Sequence, residues 1–261
     1  MSLFWKKLFK QLRIRDKGKN NIVKLPQGFY CKNALISIEG DNNTVEIDEH
    51  FICRGKFSLR IQGNNNKVHL GKNFYCHTHC SLTLYAQDST LNFGDDIHIY
   101  ISLDFESFGG KKNILLDIGN RVTFMNTAIT CFEEDSSIIV GDDCIFSYDT
   151  VLYNTDGHPI YAIDGDEPLN RAHQIKLGKR IWVAHSVVIL KNVELGNNLI
   201  LGRGALVNKS CLQDNCVLAG MPARIVKENV RWELPFPPVG EKSKFKGRAA
   251  PDIVMPKPTK P

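Results

Sequence analysis

Six times along this chain an apolar residue, a glycine, two polar residues and a second apolar residue follow one another. The phrase reads Leu70-Gly71-Lys72-Asn73-Phe74, Phe93-Gly94-Asp95-Asp96-Ile97, Ile118-Gly119-Asn120-Arg121-Val122, Val140-Gly141-Asp142-Asp143-Cys144, Leu177-Gly178-Lys179-Arg180-Ile181 and Leu195-Gly196-Asn197-Asn198-Leu199. Its glycines lie 23, 25, 22, 37 and 18 residues apart. A second phrase, Phe29-Tyr30-Cys31, Phe51-Ile52-Cys53 and Phe74-Tyr75-Cys76, returns after 22 and 23 residues. Between the phrases apolar residues alternate, as at Ile36 and Ile38, Val45 and Ile47, Leu59 and Ile61, Val68 and Leu70. Alternation over three or four residues marks short strands with one buried face. A repeat too small to bury that face alone must stack on its neighbours.

The pattern therefore predicts an all-β chain wound as a parallel β-helix, one coil per repeat. Gly, Asn and Asp are expected to supply the left-handed corners. Cys31, Cys53 and Cys76 should form an inward column of small hydrophobes. From residue 175 the steps tighten: Ile175, Ile181, Val187, Val193, Leu199, Ala205 and Cys211 fall six apart, and Val217 is next. Eighteen residues then make one triangular coil of three strands. The earlier, longer coils fit the same stack if their corners are enlarged. An all-β sandwich would not hold one phase over six coils.

The β-helix domain is assigned to residues 21–232. The formal net charge of +5 is misleading, because residues 1–20 carry +6 and the rest of the chain −1. A nucleic-acid-binding body is not implied. Residues 3–14 place Trp5, Leu8, Phe9 and Leu12 on one helical face with lysines elsewhere. This amphipathic N-terminal helix reads either as a peripheral membrane contact or as a cap on the open end of the stack. Residues 233–261 hold seven of the 11 prolines and are expected to form an extended tail. Lys6, Lys7 and Lys10 interrupt the apolar N-terminal stretch, so no signal peptide is read. The eight cysteines are then expected to be reduced and the chain cytoplasmic, peripheral at the inner membrane if residues 1–20 make the membrane contact rather than the cap. Cys76-His77-Thr78-His79-Cys80 has metal-ligand residue types, but strand alternation sends neighbours to opposite faces, so no metal is expected.

The 37-residue gap exceeds two short coils by one, yet residues 154–172 show no six-residue pattern. One coil plus an outgoing loop, about 154–173, accounts for it. Loops of that length inside a compact domain are usually functional or disordered. This one opens Asn154-Thr155-Asp156-Gly157-His158-Pro159-Ile160, and Ile181-Trp182-Val183-Ala184 follows on the next coil.

Together with the six-residue repeat, these segments resemble the hexapeptide-repeat acetyltransferases, in particular the polysaccharide and sugar O-acetyltransferase branch. The resemblance is strongest over residues 118–232 and implies a left-handed β-helix, acetyl-CoA as donor, a glycan hydroxyl as acceptor, and a homotrimer with sites between subunits. It makes His158 the general base, with Trp182 shaping the site. An imidazole of ordinary pKa ~6.5 suits proton removal from a hydroxyl near neutral pH. Asp156 is a candidate to orient the His158 ring, a backbone carbonyl being the alternative. Backbone amides of residues 182–185 are candidates to stabilise the oxyanion.

The resemblance also implies a donor site. Ala184 and Gly204 are small enough for a pantetheine arm, and His185 either lines the thioester channel or faces solvent. Arg203, Asn208, Lys209, Arg224 and Lys227 lie in segments resembling coenzyme A-binding ones, where cations suit phosphates. Asn126 and Glu134 are assigned to the acceptor. His173 reads as solvated loop. The expected activity is O-acetylation of a bacterial capsule or lipopolysaccharide. The rivals are acetylation of a small sugar, amino sugar or antibiotic, and a non-catalytic scaffold.

Overall fold

The computed structural model describes residues 12–234, all of them strand, turn or irregular. The chain is a left-handed parallel β-helix of triangular section. One face carries Ile22–Lys24, Thr44–Ile47, Lys67–Leu70, Thr90–Phe93, Leu115–Ile118, Ser137–Val140, Gln174–Leu177 and Val193–Leu195, each paired in order with the next. A second face runs through Tyr30–Glu39, Ile52–Gln62, His79–Gln87, His98–Lys112, Thr123–Cys131, Thr150–Asn154, Val188–Leu190 and Leu206–Val207. The remaining face holds short strands such as Tyr75–Cys76, Ile145–Phe146, Trp182–Val183, Ile200–Leu201 and Val217–Ala219. Every coil visits the faces in the same order and pairs in parallel with its neighbours. The hand of winding is therefore common to the whole stack, including the coils before residue 118.

The longer coils do not have enlarged corners, as the repeat length suggested; their second face is longer. His79–Gln87 buries Cys80, Leu82, Leu84 and Ala86 in strict alternation, whereas Val188–Leu190 buries Ile189 alone. The wide part of the prism thus has a deeper core, filled partly by aromatic rings. Phe29, Phe51 and Phe74 stack at centroid distances of 4.7 and 5.3 Å, and Phe124 lies 5.0 Å from Phe146. Such offset contacts suit the ring quadrupole. The coil between Gly94 and Gly119, longer by two residues than the one before, carries a bulge. Ser107 pairs with Leu84 and Lys111 with Ala86, so two extra residues are extruded.

The repeated glycines serve close approach rather than left-handed backbone. A Cβ on Gly141 would lie 2.7 Å from the carbonyl carbon and oxygen of Gly178, and one on Gly119 would lie 2.8 Å from the carbonyl carbon of Gly141. The left-handed residue is the second after each glycine: Asn73, Asp96, Arg121, Asp143, Arg180 and Asn198, with φ between 55° and 61°. Two of these are arginines, so the stack over-determines a conformation that L-residues otherwise avoid.

Polar columns complete the corners. Asn43 and Asn66 are fully buried; Asn66 Nδ2 donates to Asn43 Oδ1 at 3.0 Å, and Asn43 Nδ2 to Asn21 Oδ1 at 3.1 Å. Cys31, Cys53 and Cys76 pair in register and are buried. Contact with Cys53, then burial, raises the Cys31 thiol pKa. Burial, then the neighbouring Cys53, Asp104 and Cys31, raises the Cys80 thiol pKa, and burial pushes Cys144 up to about 12.

Two expectations need correction at the ends. Leu12–Asp16 is a strand in register with Ala34–Ile38, so the amphipathic helix does not extend to residue 14. An alternating Leu-Arg-Ile-Arg-Asp segment meets an unpaired sheet edge there, and edge hydrogen bonds win over a solvated helix. The rest of the proposed helix, residues 1–11, lies outside the described residues, as does the tail from 235. At the other end, Cys216 rather than Val217 is buried beneath Leu199. The last coil is one residue short, and a one-residue slip exchanges inward and outward positions. Arg224–Lys227 then turns back antiparallel on Val217–Ala219.

If close coil approach is the constraint, Gly141→Ala should lower unfolding free energy by about 1–3 kcal/mol, the range for overpacking. Urea denaturation measures this; an unchanged midpoint would mean that the coils can separate at little cost.

Candidate active site

The chain leaves the helix at a firmly held point. Asn154 ends its strand fully buried and donates from Nδ2 to the Ser137 carbonyl at 3.2 Å. Thr155 Oγ1 accepts the Gly157 amide at 2.9 Å, and Gly157 takes φ of 76°. That small turn, followed by the fixed φ of Pro159, projects the His158 side chain outward, where it is exposed. Asn170 closes the loop. Its Oδ1 accepts the Ile160 amide at 2.8 Å; its Nδ2 donates to the His158 carbonyl at 3.0 Å and to Asp156 Oδ2 at 2.8 Å.

Asp156 does not orient the His158 ring. Its carboxylate faces Lys191 Nζ, at 2.8 Å, and Asn170. The Lys191 ammonium, then the Asn170 amide, hold its carboxyl below the usual carboxylate range. Lys191 comes from the following coil and also donates to the Asn170 carbonyl. The aspartate therefore fastens the base of the loop to the body.

A cleft of about 460 Å³ opens between the loop and the preceding coils. Its walls include Phe108, Lys111, Phe132, Glu133, His158 and Arg171. Glu133, not Glu134, is the acid of this wall, and its Oε2 accepts the Ala172 amide at 3.0 Å. Glu134 is exposed in the adjoining turn. The wall aromatics Phe108 and Phe132 escaped the sequence reading, although with Tyr85 one coil earlier they recur after 23 and 24 residues, the length of a wide coil. That spacing was the available signal.

The other expected site residues lie on different edges of the prism. The His158 loop leaves the corner after the second face. Trp182 begins a strand on the remaining face, is 38% exposed, and does not line the His158 cleft. Its ring centroid lies 6.4 Å from that of Trp232, whose Nε1 donates to the Arg180 carbonyl at 2.9 Å. Ala184, His185, Arg203 and Gly204 share the next corner, where the Gly204 amide donates to the His185 carbonyl at 2.9 Å. A Cβ on Gly204 would meet nothing within 4 Å, so this corner has an open outer surface.

Asn126 belongs to the same column rather than to the cleft. Ser102 Oγ donates to Asn126 Oδ1 at 2.6 Å, Asn126 Nδ2 to Asp149 Oδ1 at 2.8 Å, and Asp149 Oδ2 lies 3.1 Å from His185 Nε2. His185 is thereby tethered rather than loose. Asn208 and Lys209 occupy a separate corner after Leu206–Val207, and Arg224 and Lys227 lie on the terminal strand; all four are exposed. The expected donor set is thus divided within one chain. The amides of Trp182 and Ala184 are committed to the carbonyls of Leu199 and Leu201, which removes both as oxyanion donors. His173 is exposed, and its amide donates to Asn192 Oδ1 at 2.8 Å. In the Cys-His-Thr-His-Cys segment the thiols are buried, while His77 stacks on Tyr100 and His79 bonds to Asp104.

No family model matches the chain. It is 33% identical over 142 residues to the polysialic acid O-acetyltransferase of Neisseria meningitidis, covering 53% of this chain and 66% of that protein. It is 30% identical over 115 residues to the polysialic acid O-acetyltransferase of Escherichia coli O1:K1, covering 44% and 37%. The chain spans less than two thirds of the length of either relative. Among solved structures, the polysialic acid O-acetyltransferase OatWY superposes with a TM-score of 0.64 at 24% identity, over 90% of this chain and 96% of that one, and so has the same fold.

Lys191→Met should free the loop base without unfolding the prism, raising the rate of protease cleavage between residues 154 and 173 several-fold at neutral pH. In the wild type, the depressed Asp156 pKa means the tether is fully present above the unfolded Asp value of ~3.9 and is lost as pH falls through the lower folded value. Equal cleavage rates in the two proteins at pH 7 would sink the tether.

Proposed function

We propose that the chain is a hexapeptide-repeat β-helix acetyltransferase and that it transfers the acetyl group of acetyl-CoA to a hydroxyl of a bacterial surface polysaccharide. The observation that carries this reading is the His158 side chain, exposed on a pinned loop and facing a cleft walled by aromatic and cationic residues. That lining suits a polar, ring-shaped acceptor presented to a single base.

In the reaction the Nε2 or Nδ1 lone pair of His158 takes the acceptor hydroxyl proton as that oxygen attacks the thioester carbonyl. The tetrahedral oxyanion then collapses, the carbon–sulfur bond breaks, and the imidazolium returns the proton to the coenzyme A sulfur. The products are an acetyl ester and the free thiol, and no acyl-enzyme forms. The cysteines take no part, because those near the core are buried as thiols.

One chain does not bring Trp182 and the Ala184–Gly204 corner to the His158 cleft. We therefore place the complete site between adjacent copies of a homotrimer, one giving His158 and its neighbour giving Trp182 and the donor corner. Arg203 and the cations Lys209, Arg224 and Lys227 then take the phosphates of the nucleotide. Acetyl-CoA use places the reaction on the cytoplasmic side, with the polysaccharide acetylated there.

Thiol release from acetyl-CoA, with a panel of capsular polysaccharides including polysialic acid, tests the reading. A glycan-dependent rate should appear in the wild type and fall by about 10²–10⁴ in His158→Ala, the range for general-base catalysis. Near-wild-type release by that variant would remove His158 as the base. No glycan-dependent release from any acceptor would remove the proposed activity.

A further inference from the structure

The cleft does not end at the acetylation point. Tyr85, Phe108 and Phe132 form a ladder across three successive coils, with centroid separations of 5.4 and 5.4 Å and interplanar angles of 68° and 66°. Phe132 and Phe108 wall the cleft beside His158, and Tyr85 continues one coil further toward the N-terminal end. Phe108 is 37% exposed, so the ladder is an outer surface and not part of the core.

Phe108 is held there at a cost. It opens the bulge that Gly109 and Gly110 complete with φ of 92° and 62°. At the foot of the bulge Ser107 is fully buried and its Oγ has no hydrogen-bond partner. A buried unpaired hydroxyl is destabilising, and the extruded residues return no core packing. Bulges beside active sites characteristically re-aim a side chain. Beyond the rings, Lys111 and Arg171 stand on the cleft wall with no ion pair among the described residues. Flat apolar rings flanked by unpaired cations match a chain of sugar rings that carry carboxylates.

We propose that Tyr85, Phe108 and Phe132 are subsites for the acceptor polymer. The sugar being acetylated lies at His158, the preceding or following sugars stack along the ladder toward the N-terminal coils, and Lys111 and Arg171 contact their carboxylates. This rests on the glycan-acetyltransferase reading above and adds to it the path of the chain, the residues that hold it and a dependence on chain length. Affinity rises with each sugar that reaches a further ring and then levels off.

Direct titration calorimetry without acetyl-CoA separates this from the activity itself. The probes are long-chain polysialic acid, its disaccharide, hyaluronan as a uronic-acid polymer and dextran as a neutral one. The wild type should bind an acidic polymer at least tenfold more tightly than the disaccharide, and dextran weakly. Tyr85→Ala, outside the cleft wall, should weaken the polymer several-fold and leave the disaccharide unchanged. Phe108→Leu, which keeps apolar bulk and removes the aromatic face, should weaken the polymer by a similar factor with an unchanged melting temperature. In turnover, Tyr85→Ala should raise KM for polymer with kcat retained. The track is overturned if no polymer binds, if polymer and disaccharide bind equally, or if both variants bind polymer like the wild type. Polymer binding that the variants weaken, with no acetyl transfer from any donor, would leave the track standing and remove the proposed activity alone.

Discussion

Everything in this molecule hangs on how closely one coil can lie on the next. Parallel strands must approach to within a hydrogen bond along all three faces at once, and the corner is where backbone meets backbone. Gly119, Gly141 and their equivalents remove the one atom that would hold the coils apart. Once that distance is set, the inward column of each face is forced into register, and phenylalanines, cysteines and asparagines stack on their own kind. The left-handed residue two places after each glycine is a consequence of this contact. It tolerates even Arg121 and Arg180, because the surrounding ladder leaves the backbone no alternative.

A scaffold so regular makes its exceptions informative. The chain breaks the ladder once for a long excursion, and it anchors both ends: Asn154 buried at the exit, Ala172 bonded to Glu133 at the return. Lys191 and Asn170 gather the loop between them. The result is an exposed histidine carried on a segment with few degrees of freedom, an arrangement that the proposed general-base role requires. The second exception, the Ser107–Lys111 bulge, lies on the same side and faces the same cleft.

Much of this was legible in the residues. The glycine phrase and the six-residue steps give the coil, its three faces and the exit of the loop, because periodicity reports burial directly. Sequence shows that a residue is small, but not whether the reason is torsion, as at Gly40 and Gly63, or proximity, as at Gly119 and Gly141. The cysteine column was legible from register alone. Val217 was not, because a one-residue contraction leaves no mark in a pattern of similar apolar residues. His158 was legible as part of the outgoing loop, but its separation from Trp182 on another edge of the prism was not. Asp156 beside a histidine looks like a partner for it; only the fold brings Lys191 within reach from another coil. Glu133 and Glu134 are indistinguishable by type, and a turn decides between them. The 25-residue glycine spacing was a visible trace of the Phe108 bulge, with no indication of which side it faced.

The buried thiols bear on labelling chemistry. A reagent that reports free sulfhydryls reacts with thiolates, and raised pKa values together with burial leave Cys31, Cys80 and Cys144 almost wholly protonated and shielded. Of the eight cysteines only Cys211 reaches partial exposure. The folded chain is therefore nearly silent to such reagents, and the slow appearance of colour from the protein itself would report coils coming apart.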